Sequence, residues 1–156
     1  MNSVYRKPKV FGGTRVFEYL LLLLSLAAND CGLNEERHGI PPEIESAIAN
    51  IGDDIAAEHY EKIYNEASEL WRRDSNLEQS TSVFKTLRTK LGKVENRSLH
   101  SATEQRNSSE PLKGHLFVVT YQTSFEKGEG METFTLIEQN GRWLLARYFV
   151  NSTALK

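Results

Sequence analysis

Few residues in this 156-residue chain have the types and spacing that catalysis needs. General acid–base chemistry requires a positioned proton donor or acceptor in a dry cavity, and His59, His115 and Glu132 are the candidates. His59 lies on the polar flank of a predicted helix and His115 begins a predicted strand, where histidines are usually solvated. No pair of these residues has a diagnostic spacing, so the sequence predicts no catalytic residue.

Other kinds of reactive site are also missing from the sequence. A metal site needs several His, Cys or carboxylate ligands that converge, and the pattern contains no such cluster. A serine nucleophile elbow would need Gly-x-Ser-x-Gly, which is absent. We therefore expect neither a metal nor a cofactor.

Aromatic residues give the better indication of a binding pocket, because Tyr and Trp combine an apolar ring with a polar tip. The candidate pocket residues are Tyr60, Tyr64, Trp71, Tyr121 and Trp143. They recur at helix and strand spacing together with Tyr148, so a core between helices and sheet explains them equally simply. Arg88 and Arg97 could bind an anion in such a pocket, although pairing with Glu95 or Glu132 is the plainer interpretation.

Cys31 is the only cysteine and follows an apolar run at residues 19–28. That run is too short for a transmembrane helix, which needs about 20 residues, but has the length of a signal-peptide core. Four basic residues precede it, as in a signal peptide. We expect export to the periplasm or cell envelope.

Two processing sites compete at the end of this run. Small residues around Ala27 suit a general signal peptidase, which would release a soluble protein with Ala28 first. Lipoprotein processing would instead make Cys31 a lipid attachment site, which Gly32 favours and the charged Asp30 disfavours. A free thiol in a linker is a third interpretation. Because one cysteine cannot form an internal disulfide, lipidation at Cys31 is the prediction we prefer.

The composition bounds the remaining chain to one domain with a mildly acidic charge. Residues 1–30 hold four of the 19 basic and two of the 21 acidic residues. An acidic remainder argues against nucleic acid as a partner. We predict a signal peptide over residues 1–30, a tether over 31–42 and a single α+β domain over 43–156.

The first part of that domain has helical periodicity. A helix should begin at Pro41 and Pro42, with Gly52 as the point where it breaks or bends. A second segment continues from Ala56 to Trp71, and a third spans residues 75–91 and stops at Gly92.

The second part alternates with a period of two, which predicts strands. Strands are expected over residues 94–99, 115–125, 131–139 and 142–150, with a polar loop over 101–114 and a hairpin loop over 126–130. Asn140-Gly141 is the favoured pair for a type I′ turn. The expected fold is α+β, with N-terminal helices packed on a curved antiparallel sheet of about four strands.

The order of elements and several short sequence segments resemble the bacterial domain of unknown function 4019 family over about residues 55–150. The similar residues are Tyr60, Ala67, Trp71, Phe84, RTKLGKVENR at 88–97, VTYQTSF at 119–125, ETFTL at 132–136 and GRW at 141–143. The resemblance implies a cystatin-like or nuclear transport factor 2-like fold. It implies no activity, because none of these segments is catalytic.

Two functions from different classes follow. The first is an exported, non-enzymatic module that binds a small ligand or a protein, with a partner or second copy docking on the outer sheet face if Leu116, Val118 and Leu144 are exposed. The second is a small isomerase-like or hydrolase-like pocket enzyme. A cavity with a buried carboxylate or His facing Tyr or Trp would favour the enzyme.

Overall fold

The computed structural model describes residues 35–36 and 39–156 and places the helices before the sheet. The elements are β1 (Glu35–Glu36), α1 (Pro42–Ala56), α2 (Tyr60–Glu66), α3 (Glu69–Asp74), α4 (Leu77–Leu91), β2 (Val94–Asn107), β3 (Gly114–Phe125), β4 (Gly128–Gln139), β5 (Arg142–Asn151) and a final 3-10 turn (Thr153–Leu155). This order confirms the α+β prediction. Cys31 and the predicted signal peptide lie outside the described residues.

Helix α1 is continuous through Gly52, so the predicted break there is wrong. Pro42 occupies the first turn, where its missing N–H costs nothing, and Glu43 and Glu45 face the positive end of the helix dipole. The helix ends at Ala56, and Glu58 then adopts a left-handed φ of 60°. The chain therefore turns four residues later than Gly52 suggested.

The predicted second segment is two short helices, which corrects the expectation of one. Ala67 and Ser68 are extended between α2 and α3. At this break the Ser68 N–H donates to the Leu145 carbonyl of β5 at 2.9 Å. The Ser68 hydroxyl also accepts from the Trp71 N–H and starts α3. A hydrogen bond to the sheet edge thus replaces one turn of helix.

Helix α4 agrees with the third predicted helix and has clear ends. Asn76 and Gln79 form a reciprocal capping box at its start. Gly92 ends the helix with a φ of 79°, which favours glycine. These signals determine where α4 begins and ends.

The strands form one antiparallel sheet in the order β1-β2-β3-β4-β5. β2 continues to Asn107, so the predicted polar loop over residues 101–114 is wrong for its first half. Ala102 pairs with Val119 and is buried. The sequence did not indicate this inward-facing position, because most of the residues around Ala102 are polar. The β3–β4 connection is also shorter than expected, since β4 already begins at Gly128. Asn140 and Gly141 have φ of 53° and 71°, as a type I′ turn requires, and confirm the predicted turn.

The main core lies between the helices and one face of the sheet. Its buried members include Ile44, Ile48, Tyr60, Ile63, Phe84, Phe117, Val119, Phe134, Leu136 and Leu145. Within the described range, no helix combines the length and apolar character needed to span a membrane.

The opposite sheet face is partly covered. Leu116 is only 1% exposed, because Leu70 of α3, Leu112, Ile137 and Ala146 surround it. The predicted outer patch required Leu116 to be exposed, and this condition fails because Leu116 is buried.

Candidate functional site

A fully buried carboxylate lies on the helix-facing side of the sheet. Glu132 is 0% exposed and accepts hydrogen bonds from Arg97 Nε at 2.6 Å and Arg97 Nη2 at 2.9 Å. The Thr123 hydroxyl donates to it at 2.9 Å and the Tyr148 hydroxyl at 2.7 Å. We call these four residues the Glu132 network.

Four adjacent strands supply one member each. Arg97 lies on β2, Thr123 on β3, Glu132 on β4 and Tyr148 on β5. Successive side chains of a strand point to opposite faces, so Glu132 shares the inner face with Phe134. The network is thus a polar row across the sheet beside an apolar core.

Burial and charge decide the protonation states in the network. Burial acts to lower the pKa of Arg97, but the hydrogen bonds to Glu132 and the negative charge of that carboxylate together outweigh it, and the pKa is raised. Burial, the Glu132 charge and their hydrogen bond raise the pKa of Tyr148 well above its usual value. Arg97 is therefore a cation and Tyr148 a neutral donor at ordinary pH.

Gly52 explains how the Arg97 guanidinium fits beneath α1. A Cβ at this position would lie 3.1 Å from Arg97 Nη1. The guanidinium carbon also lies 5.7 Å from the centre of the Phe134 ring. The glycine in mid-helix thus permits close approach between α1 and the Glu132 network.

A cleft of about 360 Å³ opens between α1, α4 and the sheet, beside the Glu132 network. Its walls include the apolar side chains Ile55, Phe84, Leu87, Leu91, Phe125 and Val150. Its charged lining residues are Asp53, Arg88, Lys93 and Arg97, and Tyr148 also reaches it. The cleft therefore combines apolar walls with cationic groups.

A larger depression, about 700 Å³, is a weaker candidate. Its lining residues, from Leu77 to Lys90, all belong to α4. A surface formed by one helix does not enclose a ligand, whereas the cleft has walls from three sides.

Arg88 lines the cleft with a side chain that is mostly covered but makes no hydrogen bond to the described residues. Its side chain is 24% exposed, and its Nε lies 3.7 Å from Glu58 Oε1. That separation exceeds hydrogen-bonding distance, and Arg88 has no hydrogen-bond acceptor among the described residues. A largely covered guanidinium thus keeps its donors available to the cleft.

The predicted pocket residues do not converge on this cleft. Tyr60 and Trp71 both stack on Phe84, with ring centres 5.5 and 6.0 Å away, and Tyr60 belongs to the core. Tyr64 is half-buried on α2.

The two sheet residues of that set lie on different strands. Tyr121 packs edge-on against Phe134 of the core. Trp143 contacts His115 and Phe117 instead. Core packing therefore accounts for much of the aromatic pattern.

The two candidate histidines are paired with acids outside the cleft. His59 is 61% exposed and lies 3.2 Å from Asp54, which Lys62 also contacts at 2.8 Å. His115 Nε2 lies 2.6 Å from Glu104, and its Nδ1 lies 2.7 Å from Glu138. Neither histidine is part of the Glu132 network. The described part of the chain holds no group of three or more His, Cys, Asp or Glu residues suited to a metal ion.

Sequence reasoning named Glu132, Arg97 and Tyr148 but did not assemble them with Thr123. The sequence did contain one signal. Glu132 precedes the apolar Phe134 and Leu136 by two and four residues, so all three side chains are expected on the same face of the strand. A carboxylate in phase with core residues must find buried partners. Which residues provide them depends on strand register, which sequence pattern alone does not give.

Comparison with known proteins identifies the family but no activity. A family model described as protein of unknown function (DUF4019) matches residues 50–148, which include the whole Glu132 network. The match confirms the resemblance predicted from the sequence. No curated protein matches the chain.

Proposed function

Since the family model covers well over half of it, the chain belongs to the DUF4019 family, and we propose that it is an exported, non-enzymatic module that binds a small ligand in the cleft. The Glu132 network is the observation that carries this proposal. Its members Arg97 and Tyr148 line the cleft. Arg97, Thr123 and Tyr148 already occupy the oxygen atoms of Glu132 behind them. A carboxylate held in this way stabilises the site and does not offer a free base to a substrate.

The cellular location rests on the N-terminal sequence. A basic start, an apolar run of signal-peptide length and Cys31 after it support export to the periplasm or envelope. Lipidation of Cys31 would hold the domain at a membrane, and cleavage before Ala28 would release it. Either route puts the cleft in an extracytoplasmic compartment.

A pocket enzyme is the second candidate, and one specific contact favours it. The Tyr148 hydroxyl donates to buried Glu132 at 2.7 Å, and Tyr148 lines the cleft. A buried carboxylate facing a tyrosine is the arrangement that would suit proton transfer. The bidentate ion pair with Arg97 argues against it, because it would have to open before Glu132 could accept a proton.

Docking of a protein or a second copy on the outer sheet face is a separate proposal. Phe149 of β5 is 64% exposed and would be its most prominent apolar contact. The cleft has the stronger support, because it combines enclosure, apolar walls and available donors.

Mass spectrometry of the full chain purified from its native host tests the proposal. Denaturing spectra give the N-terminus, and we expect either a lipid-bearing Cys31 or an unmodified chain beginning at Ala28. Native spectra should show an added mass that disappears on denaturation. A chain that keeps residues 1–30 would contradict export, and a native mass without an adduct would contradict ligand binding.

A further inference from the structure

The geometry points to a small apolar carboxylate as the ligand of the cleft, with Arg88 as its main anchor. This inference rests on the proposed binding function and adds the chemical class of the ligand. The acid group would lie near Arg88 and the free nitrogen of Arg97, and the apolar part would lie against the walls.

Two guanidinium groups present donors to the same space. Arg88 has no hydrogen-bond acceptor among residues 39–156, and its side chain is mostly covered. Arg97 uses Nε and Nη2 for Glu132, which leaves Nη1 on the side of Gly52. Arginine donors form a planar fork that matches a carboxylate, so an acid group would fill the unused positions.

The walls require the rest of the ligand to be apolar. Phe84, Leu87 and Leu91 line the cleft from α4, and Phe125 and Val150 line it from the sheet. A volume of about 360 Å³ is at the small end of the range for ligand pockets. A short hydrocarbon chain or a single ring would cover these side chains.

Nearby acids limit how much negative charge the cleft accepts. Asp53 lines it, Glu58 lies 3.7 Å from Arg88, and Glu132 already neutralises Arg97. These carboxylates would repel a doubly charged phosphate, because the cleft does not offer a matching number of free cations. A single carboxylate fits the remaining charge of Arg88, with exposed Lys93 at the rim.

Calorimetric titration of the purified full chain with octanoate tests this inference. Octanoate should bind, while 1-octanol, which has the same chain without the charge, should bind at least about tenfold more weakly. Shortening octanoate to butyrate should weaken binding by about fourfold per methylene removed. Octyl phosphate should bind more weakly than octanoate.

Two substitutions on α4 separate a specific role of Arg88 from a general effect of charge. Arg88→Gln should weaken octanoate binding about tenfold or more, because the charged hydrogen bonds are lost. Lys85→Gln removes the same charge from an exposed position outside the cleft and should leave affinity unchanged. Thermal unfolding of both variants establishes that each remains folded.

Three results would overturn the carboxylate assignment: no octanoate binding, equal binding of 1-octanol, or equal effects of the two substitutions. Tighter binding of octyl phosphate would replace the carboxylate with a phosphate headgroup. If octanoate fails while the host-purified protein still carries an adduct, the ligand class is wrong and the binding function stands. If no adduct is found either, the proposed function fails with it.

Discussion

At the residue scale, Glu132 shows how this sheet accommodates a charge in its interior. An isolated buried carboxylate is strongly unfavourable, so it must be paired and hydrogen-bonded. Arg97 supplies the opposite charge in bidentate geometry, and Thr123 and Tyr148 satisfy further lone pairs. The network gives one wall of the cleft a fixed polar structure.

Asp54 allows a test of electrostatics away from the cleft. Burial acts to raise the pKa of Asp54, but contacts with Lys62 and His59 outweigh it and the pKa is lowered. The contribution of Asp54 to stability is therefore complete above the pKa of an unfolded Asp, about 3.9, and is lost as the pH falls through the lower folded value.

We expect Asp54→Asn to reduce the free energy of unfolding by about 1 kcal/mol at pH 7, a modest value because Lys62 and His59 are largely exposed. The difference from wild type should shrink as the pH falls below about 4. Urea unfolding across that pH range measures it. Asp53→Asn, at the exposed neighbouring acid, is the control, and a pH-independent loss at Asp54 would contradict the electrostatic explanation.

Sequence could predict residue types at this scale better than their partners. The sequence suggested that Arg97 pairs with an acid but left Glu95 and Glu132 as alternatives, and the structure shows Glu132. Tyr148 belonged to an aromatic set that core packing explained, and Thr123 carried no signal. Hydrogen bonding across four strands depends on register, which the bulges between Val94 and Asn96 and between Leu99 and Ser101 shift locally.

At the scale of elements, Gly52 has a packing role inside α1. Glycine in a helix interior reduces the stability of the helix by about 1 kcal/mol relative to alanine, so alanine would ordinarily stabilise α1. Here a Cβ would lie 3.1 Å from Arg97 Nη1, and two hydrogen bonds to Glu132 hold that guanidinium in place.

We expect Gly52→Ala to destabilise the protein by about 1 kcal/mol net, since the close contact outweighs the gain in helix propensity. The midpoint of urea unfolding measures the change. Asn50→Ala, on an exposed part of the same helix, should instead stabilise by up to about 0.7 kcal/mol. Stabilisation by both substitutions would show that Arg97 moves aside and that the close approach is not needed.

Helix and strand positions were more predictable than helix breaks. Alternation located β3, β4 and β5, and Asn140-Gly141 marked their last turn. The break at Ala67 and Ser68 was missed because a hydrogen bond to β5 causes it, and this tertiary contact has no local signature. The same limit hid the second half of β2, whose polar residues are held in the sheet by pairing with β3.

At the scale of the whole molecule, the open sheet leaves room for a cleft. Helices α1 and α4 lie on one face, and the end of α4 stays close enough to β2 and β5 to enclose apolar walls without filling the space between them. The resemblance implied a cystatin-like or nuclear transport factor 2-like fold but no set of cleft residues. Which residues line the pocket here depends on the packing angle of the helices, which sequence periodicity does not specify.

A matched pair of tryptophan substitutions on α4 tests the central claim that this cleft is the binding site. Leu87→Trp would fill the cleft, since Leu87 lines it and is only half-buried. Val83→Trp adds the same ring one turn earlier, where Val83 is 51% exposed and lies outside the cleft. Both variants should be folded, which a thermal unfolding experiment verifies.

Native mass spectrometry of the two variants purified from the host is the most direct measurement. We predict that the adduct of the wild-type chain persists in Val83→Trp and is lost from folded Leu87→Trp. Retention of the adduct by folded Leu87→Trp would contradict the assignment of the cleft as the binding site.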